Sequence, residues 1–165
     1  MTRAYALSGM LFGALLAQIA WWVWVLPPNH DEGWILHAAF LSGEGLVPYV
    51  DYGFSQGPAV PGIYAVLQGV FGPGLLGGRV ATALMCFVMV VCIFDSVRRL
   101  SGPRPACLVL ALLVCDPYLL AQFCQVKTYS LAALGLSSAI WCWAFGERQR
   151  GVRRTAMLIA AGGVL

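Results

Sequence analysis

Long, largely uninterrupted apolar runs dominate this chain, at 4–26, 80–97, 105–121 and 128–146, and short polar stretches rich in Gly, Pro and Arg separate them. The first run carries no charge and exceeds the ~20 residues that a helix needs to cross a ~30 Å hydrocarbon core. Each run is therefore expected to be a membrane-spanning helix. A fifth run starts at Thr155 and stops at Leu165, too short to cross, so the chain reads as the N-terminal part (residues 1–165) of a longer transmembrane domain. Composition agrees: 60% of residues are apolar and only 10% charged, whereas charged residues make up about a quarter of a soluble domain. The expected fold class is all-α, a polytopic helical membrane protein. Arg3 ahead of an apolar stretch raises the alternative of a secretory signal. That stretch ends in WWVWVLPP rather than in small residues at a cleavage site, and Trp21, Trp22 and Trp24 suit an interfacial aromatic belt.

A shorter apolar run, 57–72, decides the topology. It holds Pro58 and Pro61, is bracketed by glycines and is marginal in length for a span. If it does not cross, Arg3, the group Arg98, Arg99 and Arg104, and the group Arg148, Arg150, Arg153 and Arg154 share one side. That arrangement satisfies the positive-inside rule. It places the N-terminus in the cytoplasm and the loop 27–79 outside, and Asp31, Glu32, Glu44, Asp51 and Asp116 all emerge on the outer face. The arginines are thus explained by orientation, and no nucleic-acid partner is expected. The six cysteines lie in or beside apolar runs without CxxC spacing and read as small buried hydrophobes. His30 and His37 are seven residues apart, too far for a two-histidine zinc motif, and no metal site is assigned.

Four of the seven acidic residues fall in one segment, 27–58, directly after the first span. Pro27 and Pro28 end that span. Asn29 with Glu32 three residues on forms a capping-box pattern. A short amphipathic helix over 33–43 is then expected, with Trp34, His37, Ala38 and Leu41 on one face. Asp31 sits in its first turn, where free backbone amides and the helix dipole favour negative charge. Val47-Pro48-Tyr49-Val50-Asp51-Tyr52 adds a second carboxylate between two tyrosines. Carboxylates held among aromatics at a bilayer surface suit a ligand with hydroxyls and a lipid tail, such as a lipid-linked sugar.

The order DEGWILHAAFLSGEGLVPYVDYGFSQGP, residues 31–58, resembles the first outer loop of the GT-C membrane glycosyltransferases, in the branch that includes protein O-mannosyltransferases and the lipid A aminoarabinose transferase. The shared parts are the acidic pair Asp31 and Glu32, the juxtamembrane helix, the segment from Gly45 to Asp51, and the Gly57-Pro58 step. The resemblance extends over about residues 1–145 but is specific in 30–58. It implies an inverting transferase that moves a sugar from a polyprenyl-phosphate donor to a hydroxyl or amine of a lipid, glycan or protein acceptor on the extracytoplasmic face. The family's catalytic carboxylate maps onto Asp31, with Glu32 beside it; Asp51, Tyr49, Tyr52, His37, Asp116 and Lys127 are candidate substrate-binding residues. It defines no cofactor; some GT-C enzymes use a divalent cation, and paired acids alone do not establish one. Several relatives carry a lysine just before the proline of the step into the membrane. Here Gln56-Gly57-Pro58 stands instead, so phosphate neutralisation falls to Lys127, to Arg79 or to a cation from elsewhere.

Two other readings compete. A transporter would place ionisable residues near mid-bilayer, whereas these acids cluster in a loop. A non-catalytic membrane scaffold is the third.

Overall fold

The computed structural model describes residues 2–148, and its architecture is helical throughout, with one isolated bridge between Pro48 and Tyr52. The chain runs through α1 (Thr2–Val25), α2 (His30–Gly43), α3 (Ala59–Phe71), α4 (Leu75–Ser101), α5 (Pro103–Val114), α6 (Pro117–Cys124) and α7 (Thr128–Arg148). The run from 155 and the basic residues 150–154 lie outside the described residues. Helices α1, α4 and α7 are long and apolar enough to cross a bilayer. Helix α3, with 13 residues, reaches only about 20 Å at 1.5 Å per residue, well short of the ~30 Å core.

Local chemistry sets the boundaries. At α2 the expected capping box is present: the Asp31 N–H donates to Asn29 Oδ1 at 3.1 Å, and the Asn29 N–H donates to Glu32 Oε2 at 3.0 Å. The apolar run 105–121 is two helices bent by 75°. Pro117 has no N–H to continue α5, and Asp116 begins a new helix by accepting the Leu119 N–H at 3.0 Å.

Two apolar clusters form the interior. One joins α1, α4, α5 and α6 through residues such as Leu15, Val90, Leu110 and Leu120; the other gathers Ile35, Ala39, Phe54, Tyr64 and Val126 around α2 and α3. The inward face of α2 is Glu32, Ile35, Leu36, Ala38 and Ala39; of the four residues expected to share one face, Ala38 is buried, Trp34 and Leu41 are half-buried and His37 is exposed. Glu32 lies on this face, paired with the buried Arg79. Gly78 makes that approach possible, since a Cβ there would lie 2.7 Å from Leu36 Cδ2 and 2.9 Å from Val126 Cγ2.

Candidate active site

Glu32 is fully buried and is held from three directions. Its carboxylate receives Arg79 Nε at 2.9 Å and Arg79 Nη2 at 2.7 Å, a forked pair. It also accepts the Asn29 N–H and, at 3.1 Å, the Val126 N–H. Burial alone raises the pKa of this group, but the Arg79 guanidinium and the Val126 and Asn29 amides outweigh it and hold Glu32 below the ordinary carboxylate value. Arg79 spends its remaining N–H groups on the end of α1, donating Nη1 to Leu26 O at 2.7 Å and to Val23 O at 3.4 Å, and Nη2 to Pro27 O at 3.0 Å. One ion pair thereby fixes the end of α1, the start of α2, helix α4 and the α6–α7 junction together. Arg79 is consequently not available to a donor phosphate: it is 3% exposed, and each of its five N–H groups has a protein acceptor.

Glu32 and Val126 each have a charged sequence neighbour. Asp31 directly precedes Glu32, and its side chain is 49% exposed; Lys127 directly follows Val126, and its side chain is mostly buried, 13% exposed. Their charges stand 3.8 Å apart, Lys127 Nζ to Asp31 Oδ2, longer than a hydrogen bond. Lys127 Nζ also approaches Gln122 Oε1 at 3.5 Å and lies 5.8 Å from the centre of the Tyr129 ring. The backbone is pinned on the other side, where the Tyr64 hydroxyl donates to Lys127 O at 3.2 Å. Next door, the Thr128 hydroxyl donates to Gln56 Oε1, which ties the 55–57 turn to the start of α7.

The remaining candidates are placed elsewhere. Asp51 Oδ2 accepts the Val47 N–H at 2.7 Å and so closes its own turn. Tyr52 bonds the Ser42 hydroxyl at 2.7 Å and donates to Ala38 O at 3.1 Å, holding that turn to α2. Tyr49 adopts a left-handed φ of 68°, and its hydroxyl donates to Gln56 O, one step from Thr128. His37 is exposed on α2, six residues and about 9 Å along the helix from Asp31. Asp116 is exposed at the far end of α6, about 12 Å along that helix from the Lys127 end. Among the described residues no three His, Cys, Asp or Glu side chains gather into a metal cluster.

Chemically, the arrangement sets a half-exposed carboxylate with unused acceptor capacity beside a mostly buried ammonium, both mounted on a buried frame. Gln56, Thr128 and Gln122 were not singled out as members of this neighbourhood by sequence. Only Gln56 carried a signal, as part of the Gln56-Gly57-Pro58 step at which no lysine stands.

Three membrane-length helices, with short helices assembled around the Asp31–Lys127 pair, define a polytopic all-α membrane protein. Residues 55–165, about two thirds of the chain, match the family model described as dolichyl-phosphate-mannose-protein mannosyltransferase. The chain belongs to that family and is a membrane glycosyltransferase of the GT-C type. The matched region includes Gln56, Arg79, Asp116 and Lys127, while Asp31 and Glu32 precede it. The chain matches no curated protein and no solved structure.

Proposed function

We propose that this chain carries the catalytic loop of an inverting glycosyltransferase that uses a polyprenyl-phosphate sugar, with Asp31 as general base and Lys127 as the partner of the donor phosphate. The proximity of Asp31 and Lys127, set by the buried Glu32–Arg79 frame, is the observation that carries the reading. The acceptor hydroxyl or amine gives its proton to Asp31 as its heteroatom attacks the anomeric carbon. The bond from that carbon to the phosphate oxygen breaks, and the carrier leaves as a phosphate monoester. The phosphate goes from one negative charge as a diester to nearly two as a monoester. A cation beside it is favoured more in the transition state than in the ground state, which is the condition for catalysis. Glu32 acts as a positioning residue, because its lone pairs are already engaged. The loop lies on the extracytoplasmic face, with α3 at the membrane surface, in the topology that satisfies the positive-inside rule.

The test is Asp31→Asn in the full-length protein, assayed for turnover with polyprenyl-phosphate sugars. General-base assistance is typically worth about 10²- to 10⁴-fold, and a loss in kcat of that size is expected with the fold intact. Unchanged turnover would remove Asp31 from the chemistry and favour a different base or a non-catalytic role.

A further inference from the structure

A second built feature lies at the opposite end of α4. Between α1, α4 and α7 there is a cavity of about 750 Å³, within the size range of small-molecule sites. Its walls are apolar, with Phe12 from α1, Phe87, Val91 and Phe94 from α4, and Trp141 from α7; its polar end is Asp95 and Arg98. From Phe87 to Arg98 is eleven residues, about 16 Å of helix, or roughly half of a ~30 Å hydrocarbon core. The cavity is therefore one leaflet deep, apolar towards the bilayer centre and charged at one end.

Among the described side chains the charge at that end is unbalanced. Arg98 donates to Asp95 Oδ1, at 2.9 Å from Nε, while Arg99 Nε and Trp141 Nε1, the latter at 2.8 Å, donate to Asp95 Oδ2. Two guanidiniums thus share one carboxylate, which leaves a net charge of one plus. Arg99 is turned over the Phe145 ring, 4.9 Å from its centre, whereas Arg98 lines the cavity and keeps a third of its side chain exposed. Tyr5 stands beside Arg98 and is itself exposed, as aromatics at headgroup level are.

We infer that this cavity holds one anionic phospholipid of the leaflet on the Arg98 side, its phosphate against Arg98 and one acyl chain running along α4 to Phe87. The charge selects the ligand: a zwitterionic headgroup answers a net positive site less well than an anionic one. The site is separate from the Asp31–Lys127 pair, being built on the other half of α4, and does not depend on the assignment of the base.

The experiment is native mass spectrometry of the full-length protein in detergent, titrated with phosphatidylglycerol and, separately, phosphatidylcholine. One basic residue near a membrane surface corresponds to about a fivefold preference for anionic lipid. Wild type is expected to take up a single phosphatidylglycerol with at least that preference, and Arg98→Gln to lose it. Val91→Trp, on a wall that faces lipid, fills the slot without touching the ion cluster and is expected to weaken uptake while leaving thermal unfolding unchanged. Equal affinity for the two lipids, uptake of neither, or a preference that survives both substitutions would overturn the inference.

Discussion

Asp31 and Glu32 are adjacent carboxylates in opposite circumstances. Glu32 is sealed from solvent, doubly bonded to Arg79 and capped by two backbone amides; Asp31 is half exposed and meets its cation only at 3.8 Å. At 3.8 Å and with a half-exposed carboxylate, this pair is weak, on the scale of the about 0–1 kcal/mol of surface pairs, too little to hold two chain segments together. The buried pair supplies the rigidity, because a network in low dielectric with every donor and acceptor satisfied admits few alternatives. Rigidity and reactivity are thus divided between neighbours: one acid is consumed in placing the other. Across the site the neighbours differ in a related way: the Val126 N–H donates to Glu32, while Lys127, mostly buried, brings its ammonium to Asp31.

Breaking the frame should have the largest effect. Arg79→Met leaves Glu32 buried without a counter-charge, and loss of one partner of a buried pair costs about 3–5 kcal/mol. A large fall in the thermal midpoint is expected, with activity lost as a consequence. Glu32→Gln combined with Arg79→Met removes both charges and should recover part of that stability; a double variant no better than Arg79→Met would deny the pair its role. The acid limb gives an independent check. The pKa of Glu32 in the folded protein lies below its ordinary value of 4.5, so its contribution is complete above about pH 4.5 and lost as pH falls through the folded value. Wild type should therefore lose stability on acidification below that point more steeply than a Glu32→Gln variant.

Altering the Asp31–Lys127 pair tests function more than stability. Lys127→Met is expected to leave unfolding almost unchanged and to lower kcat/KM for the lipid-linked donor roughly 10- to 100-fold, the equivalent of about 1.5–3 kcal/mol for a hydrogen bond to a charged group. Steady-state kinetics with varied donor checks it. A donor kcat/KM equal to wild type would free Lys127 of the phosphate and leave it as an interfacial lysine.

Much of this division was legible beforehand. The proline pair, Asn29 and Glu32 define the start of α2 from local chemistry alone, so Asp31 could be placed in its first turn. Lys127 was noticeable as the single lysine of the chain. What no local pattern carries is partnership over distance: Glu32 meets Arg79 across 47 positions and Val126 across 94. Without those contacts Glu32 reads as a second acid of the site and Arg79 as a free cation. The tyrosines and Asp51 likewise have partners that no local pattern carries: Asp51 closes its own turn, Tyr52 holds that turn to α2 and Tyr49 bonds Gln56 O. Side chains that close a turn and side chains that bind a sugar are the same residue types, and only their partners tell them apart.

Asp116 carries the comparison to its weakest case, an exposed acid with neither a buried partner nor a cation within ion-pair distance among the described residues. Its one bond is to the Leu119 N–H, at the break between α5 and α6. Removing an N-cap side chain costs about 0.5–2 kcal/mol, so Asp116→Ala should lower the thermal midpoint slightly and leave donor and acceptor kinetics as they are. Asp116→Asn, which keeps a capping oxygen and removes the charge, should restore the midpoint. If the charge matters and the cap does not, the order reverses: asparagine fails as alanine does, and KM rises in both. That result would return Asp116 to the binding site and require the α5–α6 break to close on the substrate.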